Sequence, residues 1–136
     1  MGQARIVRSV VLDATALTEA AHDGAQLRIQ LRRVVKRGAS VYTSAATLTE
    51  VLRGHPRDAH TYRLLLSVKI RVIDADLGQA AGARIGRTRV RGNVTLDSLV
   101  AEVASSLPRP VVVFTADDKN LRTLVDPDVM VLNIAA

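Results

Sequence analysis

The sequence predicts an α/β fold, with a central, mostly parallel sheet of about five strands between two helical layers. Two observations carry this. Short unbroken apolar runs, Val10-Val11-Leu12 and Val111-Val112-Val113-Phe114, have the character of strands covered on both faces. Such runs alternate along the chain with longer stretches of helical periodicity, the signature of strand–helix–strand units.

Taken in order, Ile6 to Asp13 forms the first strand, and Thr15 or Ala16 opens a short helix that stops near Asp23-Gly24. A second helix spans Ala25 to Arg37. Leu27, Leu31, Val34 and Val35 repeat at helical spacing, Arg28, Arg32 and Lys36 share another side, and Gly38 suits the C-terminal cap. Ser40 to Thr43 is the second strand. Helices follow over Ala46 to Arg53 and Ala59 to Val68, divided by Gly54-His55-Pro56. Ile70 to Ile73 is the third strand. Asp74 or Asp76 caps the next helix, which runs to about Ile85. Its glycines Gly78, Gly82 and Gly86 form a stripe that would admit another backbone at close range. Arginines crowd the segment after it. The helix from Thr95 to Leu107 has the clearest period, in Leu96, Leu99, Val100, Val103 and Leu107. Val111 to Thr115 is the fourth strand, Asp117 to Val125 a short helix, and Val129 to Ile134 the last strand. No repeat or linker divides the chain, so residues 1–136 are expected to form one domain.

Composition narrows the function. With 48% hydrophobic residues among 136, a packed core is expected. Without cysteine there is no disulfide and no thiolate-bound zinc, and a reducing cytoplasm is allowed. The three histidines, His22, His55 and His60, are scattered, which disfavours a histidine-based zinc site. Met1 to Arg8 does not read as a signal peptide, and no apolar run approaches a membrane span. A cytoplasmic protein without a membrane partner is the expectation. The formal charge of +6 favours a polyanionic partner. Aromatic residues are only Tyr42, Tyr62 and Phe114, too few for a base-stacking platform, so phosphate contacts would dominate any RNA binding.

Right-handed crossovers place every strand's carboxyl end on one edge of the sheet, where ligands gather in open α/β folds. Asp13 and Asp117 follow strands one and four, Asp97 lies in a first helical turn at that edge, and Glu50 lies one turn into the helix after strand two. Carboxylates from separate elements suit Mg²⁺ or Mn²⁺, which can activate water and neutralise a phosphodiester. With the basic surface, this points to metal-dependent cleavage of a nucleic acid. Each acid has a structural alternative. Asp117 can be an N-cap, Asp97 a favourable charge at a helix start, and Glu50 part of a solvated face opposite Leu48 and Leu52. Asp13 stands apart, because a carboxylate ending a buried strand needs a compensating partner.

Four motifs resemble those of one family, in order and over nearly the whole chain. Val11-Leu12-Asp13-Ala14-Thr15-Ala16-Leu17 resembles the opening motif of PIN-domain ribonucleases. Leu48-Thr49-Glu50-Val51-Leu52, Leu96-Asp97-Ser98-Leu99-Val100-Ala101 and Phe114-Thr115-Ala116-Asp117 are similar to the second, third and fourth. The resemblance is strongest to the VapC toxins of bacterial type II toxin–antitoxin pairs. It implies a PIN-like three-layer α/β/α sandwich and a Mg²⁺- or Mn²⁺-dependent endoribonuclease. It further implies a homodimer inhibited by a cognate VapB-like antitoxin. Carried over by position, Asp13, Glu50, Asp97 and Asp117 form the acidic site, and Thr15 and Thr115 orient carboxylates or the attacking water. Ser98 replaces an alanine frequent after the third acid, and Asp118 stands where it can compete with Asp117. Arg84, Arg87, Arg89 and Arg91 lead into the helix bearing Asp97 and are candidate RNA contacts; a solvated loop is the alternative. Two other functions remain open: a non-catalytic PIN-like binding module, and a PIN nuclease of RNA maturation.

Overall fold

The computed structural model describes residues 6–135. Five strands form one sheet in the order β3-β2-β1-β4-β5: β1 Ser9–Leu12, β2 Ser40–Ser44, β3 Lys69–Arg71, β4 Val111–Thr115 and β5 Met130–Asn133. Every pairing is parallel, with Val10 opposite Val41 on one side and Val112 on the other. Among the described residues there are seven helices: α1 Ala14–Ala21, α2 Ala25–Lys36, α3 Ala45–Val51, α4 Asp58–Leu65, α5 Ala75–Thr88, α6 Thr95–Ser105 and α7 Lys119–Leu124.

Strand alternation sorts the apolar side chains into two cores. Val10 and Leu12 of β1, with Val112 and Phe114 of β4, pack against Ala16 and Leu17 of α1 and Leu27 and Leu31 of α2. Val11, Val111 and Val113 face the other way, onto Val100, Val103 and Ala104 of α6 and Leu121 and Leu124 of α7. β1 and β4 are buried along their whole lengths, as their unbroken apolar runs required. The turn from α1 to α2 needs Gly24, because a Cβ there would lie 2.8 Å from the Glu19 carbonyl oxygen.

Several element boundaries and one packing expectation differ from the sequence reading. β1 starts at Ser9 rather than Ile6, and Ile6 is exposed. α7 starts at Lys119, so Asp117 stands outside the helix and does not cap it. The glycines of α5 contact nothing where a Cβ would stand, so they are an open surface rather than a packing stripe. α5 itself runs to Thr88 and ends on Arg89, whose φ of 57° is left-handed.

Burial sets Arg84 apart from the other arginines read as RNA contacts. Arg84 is only 6% exposed. Nε and Nη2 donate to Glu102 at 2.9 and 2.6 Å, and Nη1 donates to Asp126 at 2.9 Å and to the Leu124 carbonyl at 2.8 Å. Arg109 joins from outside, bonding Asp126 at 3.0 Å and Asp128 at 2.9 Å. Four of the five Arg84 N–H donors are committed and its side chain is buried, so it does not face solvent as a phosphate contact would. It clamps α5 to α6 and to the loop between α7 and β5. Removing one partner of a buried ion pair leaves an uncompensated charge. Arg84→Ala should therefore lower stability by roughly 3 kcal/mol in urea unfolding. A loss below about 1 kcal/mol would reduce the network to a surface feature.

Candidate active site

The carboxyl edge of the sheet is organised by Asp13, which follows β1 and is 9% exposed. Its Oδ1 accepts from the Ala16 backbone N–H at 3.0 Å, capping α1, and from Thr15 Oγ1 at 2.8 Å. Its Oδ2 accepts from Thr115 Oγ1 at the end of β4. Both threonine hydroxyls also accept backbone N–H bonds from the loop after β4: Ala116 to Thr15 at 2.8 Å, and Asp117 to Thr115 at 3.0 Å. Two hydroxyls thus stitch the end of β1 to the loop that carries Asp117. On the other side of β1, Thr43 Oγ1 donates to the Leu12 carbonyl at 2.8 Å, tying in β2. Ser44 then ends β2 and caps α3 through the Thr47 N–H at 3.2 Å, which sets the start of the helix bearing Glu50.

The other acids surround this clasp. Partial burial, then the charges of Asp13 and Asp97, push the Glu50 carboxyl above its ordinary value, against the pull of Arg53. Asp97, half-buried in the first turn of α6, is also pushed up. Burial is the largest cause, the Asn120 side chain opposes it, and the charges of Asp117 and Asp13 add to it. Asp117 is exposed, and its carboxylate makes no hydrogen bond among the described residues. The four carboxylates share one electrostatic neighbourhood. They do not converge on a point: among the described residues, no three His, Cys, Asp or Glu side chains stand close enough together to hold a metal ion.

Asp118 is paired at the start of α7. Arg122, one turn along, donates to it at 2.8 Å, and that bond holds its carboxyl below the ordinary range, with Asn133 adding. Arg87, Arg89 and Arg91 are exposed and form no salt bridge among the described residues. Sequence reasoning missed Asn120, whose side chain acts on Asp97. Its signal was available: an amide three residues beyond Asp117, at the start of a helix on the same edge.

No family model matches the chain, and no curated protein matches it. Solved structures do. A chain of VapBC2 from Rickettsia felis bound to a DNA fragment from their promoter is 15% identical with a TM-score of 0.72, covering 92% of this chain and 98% of that one. In VapBC-1 from nontypeable Haemophilus influenzae the identity is 16%, the TM-score 0.66, and the coverage 94% and 99%. In FitAcB from Neisseria gonorrhoeae the values are 20%, 0.65, and 91% and 96%. At these identities the likeness is one of fold. The chain has the PIN-like fold of these VapBC and FitAB structures.

The upward shifts have a sign that stability can read. A carboxyl with a higher pKa in the folded chain binds its proton more tightly there. Its contribution is fully present below the unfolded value of about 4 and is lost as pH rises through the folded value. In EDTA, wild-type stability should therefore carry a component that declines upward from about pH 4, and Asp97→Asn should flatten it. Equal pH slopes for the two proteins in urea unfolding would take Asp97 out of the acidic set.

Proposed function

We propose that residues 1–136 form one PIN-like domain that acts as a metal-dependent endoribonuclease, the VapC-like toxin of a type II toxin–antitoxin system. The observation that carries this reading is the Asp13 clasp. A buried carboxylate is held at both oxygens at the sheet's carboxyl edge, with Glu50 and Asp97 shifted upward by burial and by the charges around them. The donor set is entirely carboxylate oxygen, which suits Mg²⁺ or Mn²⁺. Asp13, Glu50, Asp97 and Asp117 would hold the ion. It would supply a water of lowered pKa and neutralise charge on the phosphodiester.

The chain's own residues divide the remaining work. Thr15 and Thr115 fix the direction of the Asp13 carboxylate, so it does not turn away when substrate approaches. Glu50 and Asp97 would hold the ion and orient the attacking water by accepting its hydrogen bonds. Glu50 and Asp117 are exposed, and closing the site around an ion would require their side chains to turn toward Asp13 and Asp97. Arg87 in the last turn of α5, Arg89 at its end and Arg91 in the loop toward α6 would contact RNA phosphates. The similar structures are VapBC and FitAB complexes, which supports a VapB-like antitoxin as partner. A homodimer in the cytoplasm completes the proposal. Among the described residues no helix is long and apolar enough to cross a membrane.

The spread of the four acids favours one competing reading, a binding module without catalysis. The two separate in a cleavage assay. With Mg²⁺ or Mn²⁺, wild-type protein should cut single-stranded or loop RNA internally. Asp13→Asn should abolish cutting while Glu19→Gln leaves it intact. Persistence of cleavage in excess EDTA would sink the metal mechanism.

Neutralising two of Arg87, Arg89 and Arg91 should weaken RNA binding. It should also reduce the slope of log affinity against log salt by about 0.7 for each phosphate that is no longer neutralised. An unchanged slope would assign these arginines elsewhere.

A further inference from the structure

The fold brings together two of the three histidines that are scattered in sequence. His22 ends α1, and its backbone N–H donates to the carbonyls of Thr18 at 3.1 Å and Glu19 at 3.3 Å. His60 stands in the first turn of α4, beside the buried Thr61. α4 packs on α1, and the two imidazole ring centres lie 5.3 Å apart with their planes at 64°. Neither ring makes a hydrogen bond among the described residues, so its nitrogens are available to other partners. His22 is half-buried and His60 exposed, and both line a groove of about 680 Å³ enclosed by α1, α2 and α4. His55 stays apart, its Nδ1 accepting from the Arg57 N–H at 3.1 Å in the loop before α4.

We propose that His22 and His60 form a reversible site for a transition-metal ion of the Zn²⁺ type. The separation of the rings carries this. An ion bonded to an imidazole nitrogen at about 2.0–2.1 Å lies about 3.2 Å from the ring centre, and tetrahedral ligation then puts two such centres about 5.2 Å apart. The rings therefore already stand at the spacing that a shared ion requires. Imidazole suits Zn²⁺, whereas the carboxylates at the other end of α1 suit harder ions. No third His, Cys, Asp or Glu side chain is close enough among the described residues to join the pair. Two protein ligands make an exchangeable site rather than a closed structural zinc, and solvent completes the shell. Arg28, Arg32, Lys36 and Arg63 line the same groove and oppose a bare cation. They also attract anions, so chloride in an open position would lower the charge of the bound complex. A bound ion would tie the C-terminus of α1 to α4. The alternative is a plain edge-to-face contact between the rings. The proposal stands whether or not the chain cleaves RNA.

The test is isothermal titration calorimetry with Zn²⁺ on the full chain without a histidine tag, in chloride buffer with Mg²⁺ in excess. Wild type should bind a single Zn²⁺, which should raise its melting temperature. The second imidazole binds intramolecularly, so His22→Ala and His60→Ala should each lose affinity on the order of a hundredfold. The thermal shift should disappear with it. His55→Ala and Asp97→Asn should bind as wild type does. His60 is exposed, and circular dichroism checks that each variant is folded. Failure of wild type to bind Zn²⁺, or equal binding by either of the His22 and His60 variants, overturns the proposal and leaves the rings as a packing contact. Affinity lost in Asp97→Asn instead would move the ion to the carboxylates and overturn it as well. RNA cleavage by wild type, assayed without Zn²⁺, reports on the nuclease reading separately.

Discussion

The structure turns on a single carboxylate. Asp13 is nearly buried, and a buried charge is costly unless it is hydrogen-bonded. The chain meets that demand with a backbone N–H and two threonine hydroxyls, one from α1 and one from the end of β4. The same bonds cap a helix, join neighbouring strands and aim a side chain. Folding and site geometry are therefore coupled at this residue. Asparagine keeps much of the capping function while removing the charge, whereas alanine removes both. The conservative variant is thus the one that isolates chemistry from stability.

Helix α1 also sets the electrical layout. Its N-terminus, where the helix dipole is positive, bears the Asp13 carboxylate. Its C-terminus, where the dipole is negative, is met by the Arg28 guanidinium. Acids collect at one end of this short helix and cations at the other. The two ends present surfaces of opposite sign, so a basic chain keeps a local acidic centre.

Much of this was legible in the sequence, for identifiable reasons. The runs of β1 and β4 are apolar on both faces because both faces are covered, and the parallel order followed from alternation with helices. Asp13 was legible as a strand-ending charge. Thr15 and Thr115 came from family resemblance, since nothing local shows that they lie across the same carboxylate. Arg84 was misread because its partners Glu102 and Asp126 are 18 and 42 residues away, and only the packing of α5 on α6 brings them together. Asp118 was separable from Asp117 only once α7 was seen to begin at Lys119, placing Arg122 one turn below it. The basic groove had no sequence signature as a cavity, because three helices build it.

The glycines of α5 bear on how stable the folded protein is. Gly78, Gly82 and Gly86 each point into open space, and none has a left-handed backbone angle. Nothing in the fold requires glycine at these places, and each keeps the denatured chain freer than alanine would, by roughly 0.4–1 kcal/mol. α5 supplies none of the four acids and no residue of the basic groove. Single methyl groups at Gly78 and Gly82 would thus raise the stability of the chain from a helix that carries none of the four carboxylates.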